Sequence, residues 1–392
     1  MTAPTDSPRV IPDIVEEHFD ELDFLWELRD ANLETEDWDL ADLAAHEDRA
    51  EAHLDGLRLA GAHGAALARR QIGGGEPGAA LASTLVLLDA GDEDAVRDAL
   101  LGGDAPVVDG VRRALRHRDG ALEAELVRLA AGDDALRAAA AADVLAFRRR
   151  KVAVPAALLG ADDAGARAWA FAAMGRAGGL DAAALETGLA DAEAAVRRAA
   201  LRAAARQRTA DLLPRCRAAA ARPTDPDPAA IELLGAIGGA EDEAVLLQLT
   251  GRPDVAAAAV LALGALGRPS VAPPLLDLFA DDALGPLAVR AYRRLTGATD
   301  VEGERPLAPP DEVADALPPD PQKARADWDR RRQQLRDGAL WQLGVEIGQE
   351  LPAQFDRFTL QCRADVWLRL RHAGRRAPDL ELEALARRQG GR

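Results

Sequence analysis

A chain of 392 residues is too long for one ordinary globular core, so it folds as several units or as an array of repeats. Aromatic residues make up only 4% of the chain, alanine is abundant and β-branched residues are sparse, which excludes an all-β fold. The formal net charge of -18 argues against non-specific nucleic-acid binding, which needs a basic surface, so we expect no nucleic-acid partner.

The first 75 residues predict an acidic, helical N-terminal cap. A helix is expected over 12–33, because Pro12 suits a first helical position and acidic residues crowd the opening turns. Asp39 is a suitable N-cap for a second helix, Gly61 a suitable end, and the run of glycines at 73–75 then breaks the chain. Residues 1–60 hold 18 acids against 4 arginines, so this region is strongly negative.

From residue 76 to about residue 300 the sequence repeats. Helix centres recur every 29 or 30 residues, and each unit predicts two short, alanine-rich helices; the centres lie at Leu145, Met174, Ala204, Leu234 and Leu263. One such pair cannot bury both of its faces, so the units must stack, and we expect Leu263 to lie in a seam between helices.

An arginine row follows the same period. Arg137, Arg167 and Arg197 each follow an acid, at Asp134, Asp163 and Glu193. The row could bind phosphate or carboxylate groups. We favour a structural ladder, in which the acid caps its helix and neighbours an arginine of an adjacent unit, because the row keeps step with the repeat itself.

Leu-Gly endings close two of the units, at 234–238 and 263–267. Together with the aspartate–x–arginine–alanine pattern, they resemble HEAT-repeat α-solenoids over roughly residues 76–297. The resemblance implies an all-α fold: a HEAT-like α-solenoid of stacked helix pairs with helical N- and C-terminal caps.

The N-terminal sequence is similar to the opening of an uncharacterised bacterial HEAT-repeat family. The similar segments are IVEEHFDELDFLWELRDANL and LADLAAHEDRAEAHLDGLRLAG. Matching positions include His18, Trp26, Arg29 and His53. Genes of that family often neighbour components of type VI secretion, which implies an accessory or effector-linked role. The resemblance carries over no catalytic residue.

Residues 301–322 hold six prolines and predict a linker or extended strap. Residues 323–392 then predict a basic, helical C-terminal region containing Trp328, Trp341 and Trp367. Opposite charges at the two ends suggest either mutual docking or separate partner surfaces. We expect Trp26 to be buried in the N-terminal cap, and Asp37, Trp38, Asp39 and Asp42 to form a surface for a protein partner that is basic.

Four of the six histidines, His18, His46, His53 and His63, lie in the first 63 residues. With nearby acids they could bind a metal, but neither the Glu-x-x-His pairs of di-iron bundles nor a His-Glu-x-x-His motif is present, so we favour packing or capping roles. No phosphate-binding glycine loop or nucleophile elbow occurs either. We therefore predict neither metal nor cofactor.

The residues thus favour a non-enzymatic protein-binding scaffold or adaptor. The alternatives are a HEAT-like modifying enzyme or lyase that uses the acidic, histidine-bearing N-terminal helices, and a purely structural assembly subunit. Two cysteines without metal-type spacing, a start that does not resemble a signal peptide and the short apolar stretch at 255–267 predict a cytoplasmic protein without membrane insertion.

Overall fold

The computed structural model describes residues 10–304 and 317–389, and helices make up 66% of it. The all-α prediction is therefore confirmed, and the sheet within the described residues is one hairpin of two-residue strands. The middle of the proline-rich segment predicted as a linker, 305–316, lies outside the described residues.

The helices of the N-terminal half are mostly 8 to 21 residues long. They are α1 (Pro12–Asn32), α2 (Leu40–Leu59), α3 (Ala62–Gln71), α4 (Pro77–Asp89), α5 (Glu93–Gly102), α6 (Ala105–Arg116), α7 (Glu123–Ala130), α8 (Ala135–Phe147), α9 (Ala164–Ala177) and α10 (Ala182–Leu189).

The remaining elements are α11 (Ala194–Gln207), α12 (Leu212–Ala220), α13 (Pro228–Ile237), α14 (Glu243–Leu249), α15 (Ala256–Leu266), α16 (Ala272–Asp277), α17 (Gly285–Thr296), α18 (Pro321–Arg331), β1 (Trp341–Gln342), β2 (Val345–Glu346), α19 (Leu360–His372) and α20 (Ala386–Gln389). Strands β1 and β2 pair antiparallel, with Gln342 opposite Val345.

The chain divides into two compact units. Unit 1 contains Met1–Ala203 together with Leu380–Arg392, and unit 2 contains Ala204–Asp379. The last described residues, 380–389, thus belong to the same unit as the first half of the chain.

Within unit 1, helices α4, α6, α8 and α9 contact one another in series, and the shorter α5 and α7 pack beside α6 and α8. Helix α1 packs against α2 and α4. Aspartates begin several of these helices, because each side chain accepts the hydrogen bond of a free backbone N–H in the first turn; they are Asp104, Asp134, Asp163 and Asp181.

Within unit 2, α13, α15 and α17 contact one another in series, with α12, α14 and α16 beside them. Glycine permits the close approach of these helices. A Cβ atom on Gly235 would lie 2.6 Å from Ala262 Cα, and one on Gly264 would lie 2.6 Å from Ala291 Cα. Any larger residue would push the helices apart, which explains the glycine in each Leu-Gly ending.

The carbonyl groups of those endings are bound by the C-terminal region of unit 2. Arg369 of α19 donates to Gly235 O at 2.7 Å and Gly238 O at 3.1 Å, and Gln342 Nε2 donates to Ala265 O at 2.8 Å. Helix C-termini leave such oxygens without a partner in their own helix, so these contacts satisfy them. Burial lowers the pKa of Arg369 to about 10, which leaves it protonated near neutral pH.

Candidate functional site

Three arginines surround one buried carboxylate in unit 1, and we call this set the guanidinium cluster: Arg112, Arg116, Arg176 and Asp143. Helix α6 supplies Arg112 and Arg116, which are four residues apart and share a face. Asp143 of α8 is wholly buried. Its carboxylate lies 3.0 Å from Arg116 Nε and 2.8 Å from Arg176 Nη1, and it accepts a hydrogen bond from Arg112 Nη1.

Aromatic rings flank the guanidinium groups of the cluster. The Arg112 guanidinium carbon lies 4.6 Å from the centroid of the Trp169 ring, and that of Arg116 lies 4.6 Å from the Phe147 ring. Arginine over an aromatic face is stabilised electrostatically and its planar group is held in place. The cluster is therefore oriented as well as charged.

The electrostatics of the cluster favour the ionised forms of Asp143 and Arg176. Burial raises the pKa of Asp143, but Arg116, Arg112 and Arg176 outweigh it, and the resulting pKa lies below the ordinary aspartate value. Burial likewise lowers the pKa of Arg176, and Glu381, Glu383 and Asp143 outweigh that effect, so its pKa is raised.

The last described residues of the chain contact two arginines of the cluster. We call Leu380–Gln389 the C-terminal tail. Arg176 donates to Glu381 Oε2 at 2.9 Å and to Glu383 Oε1 at 2.8 Å, and Arg116 Nη1 lies 2.9 Å from Glu383 Oε2. Partial burial raises the pKa of Glu383, whose side chain is still 44% exposed, but Arg116 and Arg176 outweigh that effect and hold the pKa well below its ordinary value.

The tail also contacts the N-terminal helices of unit 1. Arg29 of α1 donates to the Glu383 carbonyl at 2.9 Å, and the backbone N–H of Ala386 donates to Glu47 of α2 at 2.8 Å. Arg29 itself is buried and pairs with Glu47 at 2.8 Å. Leu385 is buried in the hydrophobic core formed by the helices of unit 1.

An open cavity of about 260 Å³ lies beside Leu385. Its lining combines apolar side chains, such as Trp26, Leu54 and Leu85, with charged ones, such as Glu47 and Arg118.

The residues predicted as a partner surface lie around the start of α2. Asp39 and Asp42 form a capping box there: Asp39 accepts from the backbone of Ala41 and Asp42, and the Asp42 side chain accepts from the Asp39 N–H at 3.0 Å. The Trp38 ring packs on His46, with 4.6 Å between the ring centroids, and Asp37 is exposed. Two of these four residues thus stabilise the helix terminus.

Three of the four N-terminal histidines are in packing contacts. His18 and His53 contact each other, with 3.2 Å between their Nδ1 atoms, and a His46 ring nitrogen lies 2.7 Å from the carbonyl of Leu25. His63 is exposed. Among the described residues, no group of three or more histidines, cysteines or acids could hold a metal ion.

The arginine row binds neighbouring loops. Arg137 donates to the Leu101 carbonyl at 2.9 Å, Arg167 pairs with Asp191 at 2.7 Å, and Arg197 donates to the Asp191 carbonyl at 3.0 Å. Trp26 is 6% exposed and Leu263 is fully buried.

Sequence reasoning missed the guanidinium cluster and the tail. One signal was present in the sequence. Asp143 follows a run of five alanines and precedes Val144 in an apolar helix, and a carboxylate at such a position must be paired.

His117 was also missed. It is buried between Trp26 and Phe147, and burial, with Arg29 and Arg116, holds its pKa well below the usual value, so it is neutral at pH 7.

Comparison of the chain with protein-family models, with curated proteins and with solved structures found no match in any of the three. Among the described residues, no helix combines the length and the apolar character needed to cross a bilayer.

Proposed function

We propose that this chain is a HEAT-like α-solenoid that works as a non-enzymatic scaffold or adaptor for a protein partner. The serial contacts of the longer helices in each unit, with a shorter helix beside most of them, support the solenoid. The close glycine contacts support it too, because each joins residues 27 or 28 positions apart: Gly175 with Ala203, Gly235 with Ala262, and Gly264 with Ala291.

The observation that carries the function is the peptide segment held in unit 1. The C-terminal tail is bound through guanidinium–carboxylate pairs, hydrogen bonds to its backbone and one buried leucine. These are the contacts by which protein surfaces recognise linear segments of other proteins. A surface that binds one such segment has the chemistry to bind another.

The same groups favour recognition over acid–base chemistry. Arginine stays protonated at neutral pH, and the carboxylates of Asp143 and Glu383 stay ionised because their pKa values are lowered. A general acid or base needs a pKa near the working pH, which these groups do not have. The N-terminal resemblance supports an accessory role beside type VI secretion or its effectors.

Photo-crosslinking in the native cell tests the scaffold. A photoreactive amino acid replaces Glu34, which lies just before the predicted partner surface at 37–42, or Phe24, an exposed apolar residue of the acidic helix α1. Val127 on α7 is the matched control, since it is 56% exposed and Phe24 is 58% exposed. A discrete protein adduct from Phe24 or Glu34 that is absent from Val127 supports the proposal. The absence of adducts from all three positions, or the same adducts from all three, contradicts it.

A further inference from the structure

We propose that the C-terminal tail is an internal ligand, and that the groove it occupies binds an acidic linear segment of a protein partner when the tail is displaced. The inference rests on the proposed function, which it extends by naming the partner's chemistry. The matching segment carries two carboxylates two residues apart, followed by an apolar residue two positions later, as Glu381, Glu383 and Leu385 do in the tail.

Charge is the first argument. Arg116 and Arg176 share Asp143 as a common counter-ion and take further carboxylates from the tail, whereas Arg112 takes Asp109 from its own helix. With the tail displaced, Arg116 and Arg176 would keep only Asp143, which Arg112 also contacts. Three arginines around one carboxylate favour an anionic occupant, and the two carboxylates of an acidic segment supply the further partners.

Shape is the second argument. Leu385 is buried, yet the cavity of about 260 Å³ beside it remains open. The tail therefore fills the apolar end of the groove only in part. A partner segment with a larger apolar side chain at this position would bury more surface than the tail does, which allows it to compete.

The nature of the tail's contacts is the third argument. The backbone of the tail bonds to side chains, those of Arg29 and Glu47, and its carboxylates bond to arginines. None of these three bonds joins the tail to a neighbouring backbone in a helix or sheet. A second peptide can reproduce these three bonds, so exchange requires only that the tail, with its short helix α20 and Leu385, leaves unit 1.

A tethered ligand competes at an effective concentration in the millimolar range. An external ligand can bind only the molecules whose groove is open, so its apparent Kd is its intrinsic Kd divided by the open fraction. Neutralising the tail should therefore strengthen the binding of an external peptide. The probe is a fluorescent synthetic peptide of residues 378–389, titrated into the full chain and followed by fluorescence anisotropy.

The test compares the parent with the double variant Glu381→Gln, Glu383→Gln. We expect the peptide to bind the variant at least about tenfold tighter than the parent, since the weakened tail competes less. The matched control neutralises Asp94 and Glu125, which pair with arginines elsewhere in unit 1, and should bind as the parent does. A peptide carrying glutamine at both glutamate positions should lose at least about tenfold in affinity for the double variant.

Arg176→Gln should abolish peptide binding while the helical circular dichroism stays at the parent level. If that variant unfolds, hydrogen exchange of the parent tests the displacement of the tail instead. The backbone amides of residues 381–389 should exchange faster when the peptide is added, because the peptide displaces them from the groove. Equal peptide affinity for the parent and the double variant, or tail amides that stay protected in saturating peptide, would overturn the inference. Cross-linked partners in the cell without peptide binding would remove this inference and leave the scaffold standing.

Discussion

Replacing Asp143 with asparagine removes the charge at the centre of the guanidinium cluster and keeps the shape of the side chain. Asp143 is fully buried, and its three arginine partners are at most 12% exposed. Breaking a buried ion pair by removing one partner costs about 3–5 kcal/mol, because the remaining charge has lost its counter-ion. The asparagine oxygen still accepts one hydrogen bond, so we expect a loss at the lower end, about 3 kcal/mol.

The measurement is native-state hydrogen exchange of the amides in α6 and α8, which reports the free energy of opening locally and needs no two-state assumption for a chain of two units. Asp134→Asn is the matched control. Asp134 also pairs with an arginine in unit 1 but is 52% exposed, and asparagine is an equally good N-cap, so its loss should stay below about 1 kcal/mol. Equal losses in the two variants would refute the reasoning that burial sets the cost.

The same pair of proteins should respond to pH in a defined direction. The folded-state pKa of Asp143 lies below its unfolded value, which is about 3.9. Its contribution to stability is therefore fully present above that value and is lost as pH falls through the folded-state pKa. The difference between parent and Asp143→Asn should be constant near neutral pH and shrink below about pH 4. A difference that shrinks near neutral pH would contradict this assignment.

Three further substitutions test particular packing and capping contacts by their effect on the free energy of unfolding. Leu263→Asp should unfold its part of unit 2, since it places an unpaired charge at a fully buried position. A melting temperature equal to that of the parent would show that water reaches this position. Arg167→Gln should cost about 1–2 kcal/mol in urea titration, more than an exposed ion pair, because Asp191 is only 9% exposed; the exposed Arg97→Gln should cost less. Asp39→Ala should lower stability by about 1 kcal/mol through loss of the capping box, whereas Asp37→Ala should not.

Local features of the sequence predicted the helices well. Pro12 begins α1 and Asp39 caps α2, as expected, because the residues that end or begin a helix act on their own first turn. Each feature was readable because the physical cause lies within a few residues. The reciprocal role of Asp42 in the capping box was missed, although it too is local.

The candidate site was not predictable in the same way. Arg176 and Glu381 are 205 residues apart, and no periodicity connects them. The net positive charge of residues 323–392 also obscured the two carboxylates of the tail, because the net charge of 70 residues does not tell which charged side chains form pairs. Buried pairing depends on tertiary contacts, and in this chain the clearest local signal was the isolated carboxylate of Asp143 among alanines.

The acidic N-terminal helices favour a basic partner, whereas the groove beside the guanidinium cluster favours an acidic one. Part of the negative charge of α1 is used internally, since Glu27 and Asp30 pair with Arg113 at 2.7 and 2.8 Å. A basic partner would therefore meet less charge on α1 than the count of acids suggests. An acidic partner would meet the arginines of the guanidinium cluster only if the tail is displaced, as we propose. Salt weakens both kinds of association. Neutralising Asp37 affects only a basic partner, and neutralising Arg176 affects only an acidic one, so these two variants decide which surface a given partner uses.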